Sequence, residues 1–354
     1  MLYQTENQHG GDVYGGGITL DFSANTNPLG TPPGVLEAVC RALPRLHRYP
    51  DPYCRRLVQA IAGHEQVPAS YILCGNGAAD LIYTYCAALR PRTAVELAPT
   101  FVEYGAGLAQ VGCRVERYFL HQAQNFDLDE RFLSFLEEKK PEVVFLCNPN
   151  NPTGRLIPLP LLDQILQYCA AQGARLFLDE CFLDLTEDGV SAKSLLAAHP
   201  ELLILKAFTK SYGMAGIRLG YCLCADNALL RRMAAASPPW NVSTPAQSAG
   251  VAALAERDFL QRTLSLVRTE RRWLTDNLTA LGFWVCPSHA NYLLFRGPLG
   301  LREGLLQQGI AIRGCGNYNG LGDGWYRIAV RPHGENEALI TAIRQFCKEK
   351  ALWQ

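Results

Sequence analysis

Between residues 71 and 221 the chain alternates short, unbroken apolar runs with stretches of helical periodicity. The runs are YILC, AVEL, VVFL, ARLFLD, LLIL and IRLGYCL. Runs such as 143–146 and 176–178 do not alternate polar with apolar residues. A strand with one wet face would alternate; a strand covered by helices on both faces reads as these do. The pattern predicts an α/β protein of three layers, αβα, built on a mostly parallel sheet. Ligands are expected at the carboxyl ends of its strands.

The texture changes after Trp240. PPWNVSTP (238–245) is a turn-rich hinge candidate. A long helical pattern from about 247 to 281 follows, then strands near 292–295, 310–313 and 326–330 with helices between and after them. This divides the chain into an extended N-terminal arm (1–32), a large domain (33–240) and a smaller C-terminal α/β domain (241–354). With 48% hydrophobic and 19% charged residues, a chain of 354 can bury substantial cores. Lys plus Arg equals Asp plus Glu at 33 each, which argues against a nucleic-acid or membrane-surface role. The 13 cysteines are scattered, without a C-x-x-C pair, and read as small buried residues of a reducing compartment rather than disulfides or a metal site. The opening MLYQTENQHGG lacks the basic and apolar regions of a signal peptide, and no apolar run reaches the ~18 residues of a membrane span. A cytoplasmic protein is expected.

Four polar signals fall at the ends of successive strand candidates. CGNGAAD (74–80) follows YILC and opens a helix at about Ala78. A glycine-rich turn into a helix N-terminus suits an anion, though an ordinary strand-to-helix turn reads the same way. The dinucleotide fingerprint fails at Asp80, which disfavours a nicotinamide-dependent dehydrogenase. CNPNNPTG (147–154) follows VVFL, as a structural turn or as a polar loop on a ligand. Asp179 ends ARLFLD, either as a helix cap or as a carboxylate that pairs with a protonated ring nitrogen. In FTKSYGMAGIRLGY (208–221), Lys210 lies in a turn after LLIL and Arg218 in the next strand. One cation suits a Schiff base and the other a phosphate; the alternative is a pair of surface charges.

Together these describe a pocket for pyridoxal 5'-phosphate (PLP). Through NPNNPTG, LDE and TKSYGMAGIRLGY, in that order, nearly the whole chain resembles the aspartate-aminotransferase-like, fold type I PLP-dependent enzymes. The resemblance implies that Lys210 bonds the cofactor and shuttles protons. It implies that Asp179 pairs with the pyridine nitrogen, Asn151 with the phenolic oxygen, and that Phe101 stacks on the ring. Gly77, Ala78 and Ala79 would present backbone N–H groups to the cofactor phosphate, with Thr209 and Arg218 beside them. Tyr49, in RYPDP, matches a tyrosine that reaches the partner's site, implying a homodimer with shared active sites. Arg327 (WYRIAVRP) matches the arginine for the substrate carboxylate, and Arg313 (AIRGCGN) one for a distal phosphate; two exposed arginines are the plainer alternative.

Two branches of that family compete. QHGGDVYG, DFSANTNPLG, PPWNV, ANYLL, YRIAVRPHGEN and LDECFLD, with Phe182 where the aminotransferases usually have tyrosine, resemble the threonine-phosphate decarboxylases. That branch implies decarboxylation of L-threonine O-3-phosphate to (R)-1-aminopropan-2-yl phosphate in cobalamin biosynthesis. His9 would contact the substrate phosphate, and Asn27 and Asn151 would also bind substrate. AGIR, with Ala207 and Ala215, reads more like the histidinol-phosphate aminotransferases. The alternative is therefore an aminotransferase acting on a phosphorylated amino donor. A non-catalytic PLP-binding regulator is disfavoured, since the resemblance leaves no room for a DNA-binding domain.

Overall fold

The computed structural model describes residues 9–350; residues 1–8 of the expected arm, and 351–354, lie outside it. The arm carries a short strand, β1 (Leu20–Asp21), and is followed by helices α1 (Pro33–Ala42) and α2 (Arg55–Glu65). Then come β2 (Ile72–Gly75), α3 (Ala78–Leu89), β3 (Thr93–Ala98), α4 (Glu103–Gln110), β4 (Arg114–Phe119) and α5 (Arg131–Lys139). The chain continues through β5 (Val143–Cys147), α6 (Leu159–Gln172), β6 (Arg175–Asp179), β7 (Leu202–Ala207), the one-turn helix α7 (Phe208–Ser211), β8 (Gly220–Cys224) and α8 (Asn227–Ala236). After α9 (Thr244–Ala253) and α10 (Phe259–Ala280) it closes with β9 (Trp284–Val285), β10 (Tyr292–Arg296), α11 (Leu301–Gln307), β11 (Ile310–Ala311), β12 (Arg313–Gly314), β13 (Trp325–Ala329) and α12 (His333–Glu349).

Seven strands form one sheet in the order β2-β8-β7-β6-β5-β3-β4. Only β8 runs antiparallel to its neighbours. The unbroken apolar runs are explained by two cores, one on each face. Val143, Phe145 and Cys147 of β5 face one core with Phe177 and Leu205. Val144 and Leu146 face the other with Leu176, Leu178 and Ile204. The expected mostly parallel sheet is present, with one strand the sequence reading passed over. β4, RVERYF, pairs only with β3 at the sheet edge and stays partly exposed, so it mixes charged with apolar residues.

The helical pattern from 247 to 281 is two helices. α9 packs on α1 and α2, and α10 packs on α12 and against β9 and β10. The expected strand at 310–313 also divides. β11 pairs in parallel with β1 of the arm, whereas β12 joins an antiparallel sheet of order β12-β13-β10-β9. A third core, including Phe22, Leu293, Phe295, Ile328 and Ile343, lies under that sheet and ties the arm to it. Among the described residues no helix is long and apolar enough to cross a membrane.

Candidate active site

The carboxyl ends of β5, β6 and β7 open into a cavity of about 430 Å³. Its walls include Asn151, Asp179, Thr209, Lys210 and Arg218, with Ala78 and Ala79 at the start of α3 and Phe101 ahead of α4. The antiparallel sheet contributes Arg313 and Arg327, and the arm contributes His9, Ser23 and Asn25. Segments more than 300 residues apart in sequence thus meet around one space.

Lys206, buried, and Lys210, half-buried, lie within five residues of each other, and their surroundings separate them. Lys206 donates to Asp184 at 2.8 Å and stands 3.2 Å from Glu65, whose carboxylate also takes Tyr221 and Lys193. Burial works against its charge, but Asp184, Glu65 and Glu180 hold its pKa above the ordinary range. Lys210 forms no ion pair among the described residues. Burial, and then the nearby Arg327, bring its pKa down to about 8. Its ammonium lies 5.5 Å from the centre of the Phe182 ring. Lys206 is a structural cation; Lys210 is an amine with ready access to its neutral, nucleophilic form.

Asp179 does not cap a helix. One oxygen accepts the Cys181 N–H at 2.8 Å and the other the Tyr104 hydroxyl at 2.7 Å. Burial pushes its carboxyl above the usual range despite these bonds and despite Lys210. A cationic partner in the cavity would offset that. The 147–154 loop divides its labour. Asn148 accepts from Ile157 N–H, and Asn150 ties Thr100, Pro99 and Thr153 together. Asn151 alone of the three lines the cavity, where its Oδ1 accepts from Arg327.

At the start of α3 the donors differ from those expected. The Gly77 N–H is engaged, donating to Gly75 O at 2.8 Å, so the turn offers the amides of Ala78 and Ala79. Gly77 serves differently: at φ +89, a Cβ there would stand 2.7 Å from Arg218 Nη2. The missing side chain lets the guanidinium close over the turn. Arg218 is not in a strand as expected. It follows a 3₁₀ turn (Ala215–Ile217) at φ +58, ahead of β8. That conformation costs a non-glycine residue about 1 kcal/mol and aims the side chain back at α3 rather than along the sheet.

Arg313 and Arg327 sit directly opposite each other on β12 and β13, both buried. Like charges so placed repel. The guanidinium of Arg327 bonds only to neutral groups among the described residues: Asn151, Tyr318 and the Ser23 carbonyl at 2.8 Å. Arg313 bonds to Asn317 and lies against the Tyr318 ring. Such a pair has the charge and placement to receive two neighbouring anionic groups. Neither arginine is a surface charge.

Asn27 is not in the cavity wall. Its amide donates to Ser211 O at 2.7 Å and to Thr263 at 2.9 Å, and its oxygen accepts from Leu29 N–H. It braces the segment just after Lys210. Asn25, two residues earlier, lines the cavity instead, and neither end of its buried carboxamide has a partner among the described residues. Both asparagines stand in SANTN, where loop residues carry no periodicity to say which turns inward. His9 stands at the cavity rim, its Nε2 2.7 Å from Glu103. Tyr49 lies outside this cavity, exposed on the surface and stacked on Trp240 at 4.5 Å. Sequence reading missed Asn25, Glu103, Tyr104 and Tyr318 as cavity groups or their supports. Glu103 and Tyr104 stand two and three residues after the singled-out Phe101, at the start of α4, and that nearness is the signal that could have found them.

Comparison with known proteins settles the class. Residues 18–346 match the aminotransferase class I and II family, and the chain belongs to it. It is 41% identical, over 92% of its length and 90% of the other, to the threonine-phosphate decarboxylase of Salmonella typhimurium. Its structure is similar to that of the histidinol-phosphate aminotransferase from Clostridium acetobutylicum, at a TM-score of 0.87 and 28% identity, covering 93% of this chain and 99% of that one. It is also similar to the L-threonine-O-3-phosphate decarboxylase from Porphyromonas gingivalis, at 0.83 and 25%, covering 93% and 99%.

Proposed function

We propose that this chain is a PLP-dependent carboxy-lyase that converts L-threonine O-3-phosphate to (R)-1-aminopropan-2-yl phosphate and CO2, a step serving cobalamin biosynthesis. The observation that carries the reading is the buried cross-strand pair, Arg313 and Arg327. A short substrate with a carboxylate near a phosphate satisfies both guanidinium groups at once. Histidinol phosphate has a phosphate but no carboxylate. The likeness to the Salmonella enzyme supports the same choice.

The residues present fit PLP. Lys210 would bond its aldehyde, Asp179 would pair with the ring nitrogen, Asn151 would hydrogen-bond the phenolic oxygen, and Phe101 would cover the ring, all four lining the same cavity. Ala78, Ala79, Thr209 and Arg218, which line one end of the cavity with Arg218 close over Gly77, would hold its phosphate. Bound there, PLP supplies the electron sink for the bond broken at the substrate α-carbon. The chain's own residues do the rest. Arg327 holds the carboxylate until CO2 departs, Arg313 and His9 hold the phosphate, and Asn25 gives a donor and an acceptor to a bound substrate. Lys210, with a pKa near 8, delivers a proton to the α-carbon in place of CO2.

A homodimer completes the reading. Tyr49 is exposed, and Leu36, Leu43, Leu46 and Tyr53 beside it in sequence leave large apolar side chains on the surface. A second copy would cover them. The thirteen free thiols support a cytoplasmic setting. A second reading, aminotransferase on a phosphorylated donor, is favoured by the likeness to the Clostridium structure. Incubation with L-threonine O-phosphate separates the two. Aminopropanol phosphate formed without any keto acid is expected; no CO2, with glutamate formed from 2-oxoglutarate and histidinol phosphate, would overturn the decarboxylase reading.

A further inference from the structure

The arm reaches the cavity by a contact that only glycine allows. At Gly10 a Cβ would lie 2.2 Å from Ser23 O, so the arm's backbone rests directly on the chain beyond β1. The Gly11 N–H then donates to Ser23 Oγ at 2.8 Å. This docking sets His9 at the cavity rim, its ring centre 6.0 Å from that of Phe101 and its Nε2 2.7 Å from Glu103 Oε1. The other oxygen of Glu103 accepts from Tyr83 on α3 at 2.6 Å. One carboxylate on the first turn of α4 therefore joins the arm to α3.

That carboxylate is oddly placed for its charge. The same cavity holds Lys210, Arg218, Arg313 and Arg327, a set that attracts anions, and a glutamate on its wall opposes that attraction. The opposition disappears when Glu103 acts through His9. The carboxylate holds the ring at the rim of that cationic cavity, where a substrate phosphate would enter.

We propose that Glu103, oriented by Tyr83, is a positioning residue: it pins the arm across the cavity rim through His9 and orients the imidazole for the substrate phosphate. The proposal rests on the reading of a phosphorylated amino-acid substrate. Glu103 touches no reacting atom, so its removal should weaken substrate capture while sparing chemistry.

Steady-state kinetics of the PLP-loaded full chain with L-threonine O-phosphate test this. Glu103→Gln should raise KM roughly 10- to 100-fold, with kcat within about threefold of wild type. Glu103→Asp should recover part of the loss. In a His9→Asn background, Glu103→Gln should add less than about twofold, because both changes break one linkage. Additive effects, a kcat loss at unchanged KM, or a Glu103→Gln protein kinetically like wild type would each overturn the proposal. If Glu103→Gln does not fold, Tyr83→Phe, which removes only the orienting hydroxyl, takes its place. A KM rise of about threefold or more, absent in the His9→Asn background, is then expected; no rise would overturn it. If wild type releases no CO2 but transaminates with histidinol phosphate, the decarboxylase reading fails by itself. The same variants on histidinol phosphate then decide Glu103 by the same KM test.

Discussion

At the scale of single residues, the site turns on which buried or half-buried polar groups are already satisfied. Lys206 and Asn27 are fully engaged; Lys210 and Asn25 are not. Lys210→Ala should lower turnover by at least about 10³-fold if, as proposed, Lys210 is both the attachment point and the proton donor. Borohydride should then fix cofactor to wild type and not to the variant. The asparagines should respond in opposite senses. Asn25→Ala should raise KM about tenfold at unchanged thermal stability, whereas Asn27→Ala should cost about 1–3 kcal/mol of stability with KM within about threefold. A KM effect confined to Asn27→Ala would return Asn27 to the substrate. For Arg327→Lys, loss of the two-pronged contact should raise KM roughly tenfold or more; unchanged kinetics would remove Arg327 from the carboxylate.

At the scale of elements, β7 and α2 are joined beneath the site by the network of Lys206, Glu65, Lys193, Asp184 and Tyr221. Burial opposes the charge of Glu65, but Lys206, Tyr221 and Lys193 hold its pKa down to about 2. A folded-state pKa below the ordinary 4.5 adds stability above pH 4.5, and that stability is lost as pH falls toward 2. Glu65→Gln leaves Lys206 buried with less opposing charge and should cost about 3–5 kcal/mol at pH 7. Its denaturation midpoint should also fall less steeply than wild type between pH 4.5 and 2; parallel curves would contradict the assigned pKa. Elements were the most legible part of the sequence. Strands buried on both faces announce themselves by unbroken apolar runs, as β5 and β6 do. β4 did not, because an edge strand needs no such run. Arg218 was misplaced because IRLGYCL reads as one strand, while a left-handed residue inside it leaves no mark on hydrophobicity.

At the scale of the molecule, the site is assembled from pieces that sequence order keeps apart: arm, large sheet and antiparallel sheet. Motif spacing brought Lys210, Asp179 and Asn151 to the cavity, because each stands at or just past the carboxyl end of its own strand. It could not show that Arg313 and Arg327 face each other, which is a matter of β12–β13 register. The exposed apolar segment around Tyr49 predicts a dimer in sedimentation at micromolar concentration. Charged substitutions at Leu43 and Leu46 should yield monomers with reduced turnover; active monomers would contradict shared sites. The central claim concerns which bond breaks at the α-carbon, and one reaction mixture tests it most directly. Wild type is given carboxyl-¹³C L-threonine O-phosphate, histidinol phosphate and 2-oxoglutarate together. The account predicts labelled CO2 in proportion to the threonine phosphate consumed, with little glutamate; glutamate without labelled CO2 would contradict it.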